Sequence, residues 1–333
     1  MNNLMLRKLL AAYPNQEEFL KVAETIIEEE EKKENNLLAR DLRDSLYRNK
    51  LKNNFKSKDY ASLNIPCDHE RGLPLFDIKK FDKTWEDIIL DKKTSASLER
   101  VIQENEMKDI LIAHRLKPRQ KLLFFGPPGC GKTLAAQVLC GILNYPMVYI
   151  RFDGVVSSYL GETSANMRKI FDFISMGQWI VLFDEFDIIG KQRDSPFEHG
   201  EMKRVVNNLL QMIDNYSGES IIICATNHQH LLDPALWRRF DEVILFDLPN
   251  KENRIKLIKR NLRQIRTEKM DYSSFADSMN DMTPADIETI CINAIKKVIL
   301  DGRVLLKSED LMESFLIHKE RLNRKKEIYH EVD

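Results

Sequence analysis

The stretch Gly126-Pro127-Pro128-Gly129-Cys130-Gly131-Lys132-Thr133 follows a short apolar run, Leu122 to Phe125, and opens a helical pattern from Leu134 to Leu143. Strand, glycine-rich loop and helix in that order are the setting that a phosphate-binding loop requires. The residue types explain why. Glycines let consecutive backbone N–H groups face one point with no side chain in the way. The helix start adds free N–H groups and the positive end of its dipole, which suits phosphate. Lys132 supplies a mobile charge for the β- and γ-phosphates of a nucleotide, and Thr133 a hydroxyl for Mg²⁺. The competing reading is a turn rich in glycine and proline, and the full spacing in the right setting argues against it.

The rest of the chain agrees with such a loop. Apolar runs recur at Met147 to Ile150, Trp179 to Phe183, Ile221 to Cys224 and Val243 to Phe246, with helical segments between them. Short apolar strands alternating with helices predict an α/β fold with a largely parallel sheet covered on both faces. A helix over about residues 95–116 is predicted to lead into the first strand. After Pro249 no further strand is predicted, and Lys251 to Ile265 and Pro284 to Leu300 read as helices. Thr283 is the expected N-cap of the second, with Pro284 in its first turn and Asp286 at its third position. Residues 1 to about 52 also have helical spacing, in Leu4, Leu6, Leu9 and Leu10 and in Phe19, Leu20, Val22, Ile26 and Ile27. The charge run from Glu28 to Glu34 is read as a solvated helix face. Residues 53–84, with Pro66, Gly72 and Pro74, read as a linker. The expected organisation is an N-terminal helical region and linker over 1–84, an α/β nucleotide-binding domain over 85–248, and a small helical lid over 249–333.

Composition removes several alternatives. The formal net charge is -1, so no bulk field attracts nucleic acid or an anionic membrane. No apolar run approaches the length of a membrane span. Cys67, Cys130, Cys140, Cys224 and Cys291 lack paired or metal-ligand spacing, so they read as thiols in a reducing compartment. A cytoplasmic protein is expected.

Two further strand ends carry polar chemistry. Trp179 to Phe183 ends in Asp184 and Glu185. Beside a phosphate loop, Asp184 is placed to hold Mg²⁺ through water, and Glu185 to activate the attacking water. Ile221 to Thr226 ends in Asn227, a candidate for bonding that water or the γ-phosphate, although an Asn at a strand end is often a turn residue. Arg238 and Arg239 follow. They are expected near the functional edge of the sheet, where a planar permanent cation suits transition-state charge. Their alternative use is a salt bridge to Asp233 or Asp241.

With these residues in view, the chain resembles the AAA-type ATPases of the clade that includes protein unfoldases, proteasomal ATPases and severing enzymes. The resemblance covers about residues 85–300. It rests on Walker A at 126–133, Walker B at 179–185, the sensor Asn227, and the region from Asp233 to Asp241. Ser157-Ser158-Tyr159-Leu160-Gly161-Glu162, followed by Asn166, Arg168 and Phe171, falls in the same register. The resemblance implies a P-loop core and helical lid, a hexameric ring with ATP at subunit interfaces, and Mg²⁺ as cofactor. It implies that Tyr159, Leu160 and Gly161 grip polypeptide in a central pore. Asp87, Ile88 and Ile89 resemble the segment near adenine, and Ala285-Asp286 the lid motif. Two departures stand out. The arginine segment, usually Arg-Pro-Gly-Arg-Phe-Asp, is compressed here to Trp237-Arg238-Arg239-Phe240-Asp241, with Arg239 matching the second arginine. The adenine segment lacks the usual glycines.

The resulting expectation is an Mg-ATP-dependent ring that remodels protein clients. Self-association and a protein client are the implied partners, with a separate protease as a further one, since no protease motif is present. The rivals are a nucleotide-switched assembly factor that threads nothing, and a DNA-acting loader that needs a basic surface the sequence does not offer.

Overall fold

Apolar runs this short and this continuous can be buried only between two covering layers. The structure, a computed structural model, places them so. It describes Thr25 and residues 65–68, 72–151, 155, 160–186, 208–227 and 237–330. Among these, one sheet contains β1 (Phe76–Lys79), β2 (Lys121–Phe125), β3 (Met147–Ile150), β4 (Ile180–Phe183), β5 (Ile221–Thr226) and β6 (Glu242–Leu245), in the order β1-β3-β4-β5-β2-β6. The ladder is parallel except for β1, which pairs antiparallel with β3. Every residue of β4 and β5 is buried. Helices α1 (Lys92–Glu106), α2 (Lys108–Ala113), α3 (Lys132–Leu143) and α4 (Leu160–Ser175) belong to this layer structure, as does a helical stretch at 208–215. Leu98 and Val101 of α1 and Ala135, Val138 and Leu139 of α3 share one core with Leu122, Phe124, Ile180 and Ile223 of the strands. The fold class is the α/β one expected.

A second core lies among α5 (Lys251–Leu262), α6 (Tyr272–Ser278), α7 (Pro284–Leu300) and α8 (Ser308–His330). Leu257, Phe275, Ile290, Ala294 and Phe315 are among its buried residues. It belongs to the same compact unit as the sheet, Ile65–Asp333. Thr283 caps α7 as its sequence predicts. Its side chain accepts from Asp286 N while the Asp286 carboxylate accepts from Thr283 N, a reciprocal capping box.

Three features depart from the sequence reading. β1 lies within 53–84, the stretch read as a linker. Only four residues long at a sheet edge, it has a mixed burial pattern that leaves a weak signal. The single helix expected over 95–116 is two, broken at Met107. The Glu104 carboxylate accepts from Arg119 N (2.9 Å) and its guanidinium (2.6 Å), so the chain must turn back there to enter β2. Strands do not end at Pro249: β7 (Arg266–Thr267) and β8 (Leu305–Leu306) form a parallel pair, too short for any alternation to show. Within the helical region expected over 249–333, the polar C-terminal stretch contains α8, whose buried residues Leu311, Phe315 and His318 repeat at helical spacing.

The junction of α7 and α8 is held by charge. Arg303 Nη1 and Nη2 donate to the two Asp310 oxygens at 2.8 and 2.7 Å, and Lys307 N donates to Asp310 Oδ2 at 3.0 Å. The Arg303 guanidinium holds the Asp310 carboxyl down to about 2, against an ordinary 3.8. A depressed pKa means stability that is present above about pH 4 and lost as the pH falls toward 2. Asp310→Asn is therefore expected to lower Tm at pH 7, with the gap to the parent narrowing as the pH falls from 4 to 2. Thermal melts across that range test this, and a constant gap would remove the ion pair as the cause.

Candidate active site

Strand register decides what meets at the carboxyl edge of the sheet. β2 lies between β5 and β6, with Phe125 level with Thr226 and with Leu245. Gly126 and Asn227 therefore leave the sheet side by side. On the other side of β5, Phe183 is level with Cys224, so Asp184 and Glu185 emerge next to them. Gly126 has φ +139, and a Cβ there would lie 2.1 Å from the Phe246 carbonyl oxygen, so only glycine fits this start to the loop.

Within the loop, Lys132 is buried, and its ammonium donates to Gly126 O at 2.7 Å and Pro127 O at 2.9 Å. The charge is thereby folded back over the loop, where phosphate oxygens are its natural partners. Thr133 Oγ1 donates to Asp184 Oδ2 at 2.7 Å. A hydroxyl and a carboxylate oxygen in contact form the hard-oxygen donor set that suits Mg²⁺. Pro128 and Gly129 are exposed, Gly131 is the N-cap of α3, and Leu134 packs on the sheet core. Cys130 is buried in that core, and burial pushes its thiol up to about 11, so it packs and does not act as a nucleophile.

Asp184 spends its second oxygen on the backbone: Glu185 N donates to Oδ1 at 2.9 Å. Glu185 has φ +51, a left-handed conformation uncommon outside glycine. Strained backbone of this kind concentrates at functional sites. Here it lets the strand end abruptly and leaves the Glu185 side chain exposed beside the loop. Asn227 is half-buried at the neighbouring strand end.

The lid touches the loop directly. Ala285 N, in the first turn of α7, donates to Gly129 O at 3.2 Å. The adenine segment joins the two cores: Ile88 packs in the sheet core and lies against Gly131, while Ile89 packs on the lid core. The Asp87 carboxylate is occupied, accepting from Thr84 N at 2.8 Å and Lys83 Nζ at 3.2 Å. These bonds, the backbone one first, hold its pKa below the ordinary value. Its carbonyl accepts from Arg260 of α5 at 2.7 Å. Sequence reasoning missed Arg260, because nothing local links it to residue 87.

The arginines lie elsewhere. Asp241 N donates to Lys121 O at 2.8 Å, and the Asp241 carboxylate accepts from Gln120 N and Lys121 N, both at 2.9 Å. The segment is thus fixed at the amino end of β2, about 16 Å of strand from Gly126. The expectation that Arg238 and Arg239 sit near the functional edge is corrected, because a parallel β6 must begin at the opposite edge. Neither uses Asp241. Arg239 Nη1 pairs with Asp214 Oδ2 at 2.5 Å, while Arg238 is exposed with no ion pair among the described residues. Tyr159 and Asp233 lie outside the described residues; Leu160 and Gly161 open α4.

A phosphate loop on a largely parallel sheet, a carboxylate pair at the adjoining strand end and a helical core against the loop define a P-loop nucleotide hydrolase. Comparison with known proteins gives the family. Residues 122–248 match the model of the ATPase family associated with various cellular activities (AAA). The chain is 38% identical over 306 residues, 92% of each chain, to a protein of Sinorhizobium fredii (strain NBRC 101917 / NGR234) described as an uncharacterized AAA family ATPase, y4kL. The chain belongs to the AAA ATPase family and is an ATP hydrolase.

Glu185→Gln keeps the shape of the strand end and removes the carboxylate expected to act as base. It is expected to bind ATP like the parent and to lose turnover by about 10²–10⁴-fold. Binding and steady-state hydrolysis on the same preparation check this, and turnover within about twofold of the parent would remove Glu185 from the role.

Proposed function

We propose that this ATPase assembles as a ring, a homohexamer on the family pattern, and uses Mg-ATP to remodel or unfold protein clients. The observation that carries the reading is the position of Arg238 and Arg239 at the sheet edge opposite their own phosphate loop. A transition-state cation so placed serves a neighbour's ATP, and a closed ring lets every site receive one. In each site Lys132 and the loop N–H groups hold phosphate, Asn227 orients water, and Glu185 takes its proton. Thr133 and Asp184 would hold Mg²⁺, which when bound neutralises phosphate charge. Residues 65–248, which include β1 of the sheet, and 249–333 act as nucleotide domain and lid. Residues 1–64 select the client, and the ring works in the cytoplasm without nucleic acid.

Arg238 is the arginine offered across the interface, and Arg239, held by Asp214, fixes the turn. This reverses the weight that the family pattern gives to Arg239. Arg238→Ala is expected to bind ATP and to lose about 10³-fold or more in hydrolysis. Mixing it with Lys132→Ala is expected to restore part of the rate, since one supplies the arginine and the other an intact site. Full hydrolysis by a strictly monomeric preparation would overturn the ring.

Threading rests on the segment Val155-Val156-Ser157-Ser158-Tyr159-Leu160-Gly161 and on the physics of an aromatic grip. A flat ring packs on many side chains at small entropy cost. Tyr159→Ala is expected to hydrolyse ATP near the parent rate and to fail to unfold its client. Turnover and client unfolding measured together decide between mechanisms, and unchanged unfolding would favour a switch that threads nothing.

A further inference from the structure

The inward face of α8 carries a stripe of Leu311, Phe315 and Leu322 against the lid core. His318 interrupts it and is 9% exposed. A buried imidazole requires a partner, and here it is Asp286, with His318 Nε2 at 2.9 Å from Oδ1. The other carboxylate oxygen, Oδ2, accepts from Thr283 N at 3.0 Å and Thr283 Oγ1 at 2.7 Å. Burial pushes the Asp286 carboxyl up, but the hydrogen bonds from Thr283 and His318 outweigh it and its pKa lies below the ordinary value. An ionised carboxylate only accepts, so Nε2 is the protonated ring nitrogen.

Asp286 in turn shapes the contact with the phosphate loop. Its bonds fix Thr283 and the first turn of α7, and that turn is what meets Gly129. Ala285 N donates to Gly129 O at 3.2 Å. A Cβ on Gly129, which has φ +78, would lie 3.0 Å from Thr283 Oγ1 and 3.1 Å from the Ala285 Cβ. The first turn of α7 therefore lies against Gly129 with no room for a side chain between them. From α8 to the loop the route is His318, Asp286, the Thr283–Ala285 turn, then Gly129.

We propose that His318 is a positioning residue for the phosphate-binding loop: through Asp286 it fixes the start of the lid helix on Gly129, so that the seating of the C-terminal helix sets nucleotide affinity. The inference rests on the loop being the ATP site and goes beyond it, because His318 is bonded to Asp286, behind the turn that meets the loop. It makes α8 a regulatory input, since anything that shifts this helix shifts the grip on nucleotide.

The test is Mg-ADP binding by calorimetry together with KM and kcat for ATP, on the full chain. His318→Ala is expected to weaken ADP binding about tenfold, the scale of one lost charge-assisted hydrogen bond, and to raise KM more than it lowers kcat. His318→Gln, which keeps a donor of similar reach, is expected to recover most of the affinity. The double variant His318→Ala/Asp286→Asn is expected to lose less than the sum of the single losses, because the two act along one route. ADP affinity unchanged in His318→Ala would overturn the proposal. So would equal loss in the Ala and Gln variants accompanied by a lower Tm, which marks packing alone. A parent that binds no ADP would overturn the nucleotide site itself, an outcome distinct from either.

Discussion

The chemistry of this protein depends on the backbone ladder that inserts β2 between β5 and β6. Three parallel strands, β4, β5 and β2, then end side by side, and their next residues are Asp184, Asn227 and Gly126. No side-chain contact is needed to gather them. The ladder is fixed because Leu122, Leu123, Phe124 and the whole of Ile221 to Ala225 are buried, so a slip of one residue would also reverse every side chain on the pleat. At the loop itself the tolerance is smaller still, since Gly126 meets the Phe246 carbonyl at a distance that excludes a side chain.

Against this fixed edge, the lid is joined by a narrow seam. Ile88 belongs to the core of the sheet and the adjacent Ile89 to the core of the lid, so one peptide unit spans the two. Arg260 binds the Asp87 carbonyl on one side of that unit, and Ala285 binds Gly129 on the other. The two cores thus meet through backbone carbonyls and a dipeptide within one compact unit. The second of these contacts reaches the loop itself, so the start of α7 and the phosphate loop share a backbone hydrogen bond.

The strands that carry the site were legible in the sequence because each is a continuous apolar run with polar residues at its carboxyl end. Thr283, Pro284 and Asp286 were legible because capping is local. What escaped was either short or distant in sequence. β1, β7 and β8 are too brief or too exposed for periodicity to register. Asp214 meets Arg239, Arg260 meets Asp87 and His318 meets Asp286 across 25, 173 and 32 positions, and no spacing rule reaches that far. His318 did leave a trace: a polar residue within an apolar stripe at helical spacing. That trace becomes visible only once the C-terminal stretch is read as an amphipathic helix.

The compressed arginine segment shows how a small deletion redistributes work. In the family pattern two residues separate the arginines, enough to bring both to one face of a turn. In this chain Arg238 and Arg239 are adjacent. Adjacent side chains diverge, so a single acceptor on the protein's own surface can hold one of them and not both. Asp214 holds Arg239, and Lys121 Nζ, bound to the Asp214 carbonyl at 2.9 Å, ties that acceptor to the start of β2. One guanidinium thus ties the turn to Asp214, while the other is exposed with no ion pair among the described residues. In the reading proposed above, Arg238 would still give up its own rotamer freedom on meeting phosphate, and only the backbone beneath it is held in advance. In the proposed reading, compression thus leaves Arg239 as the support and Arg238 as the contact.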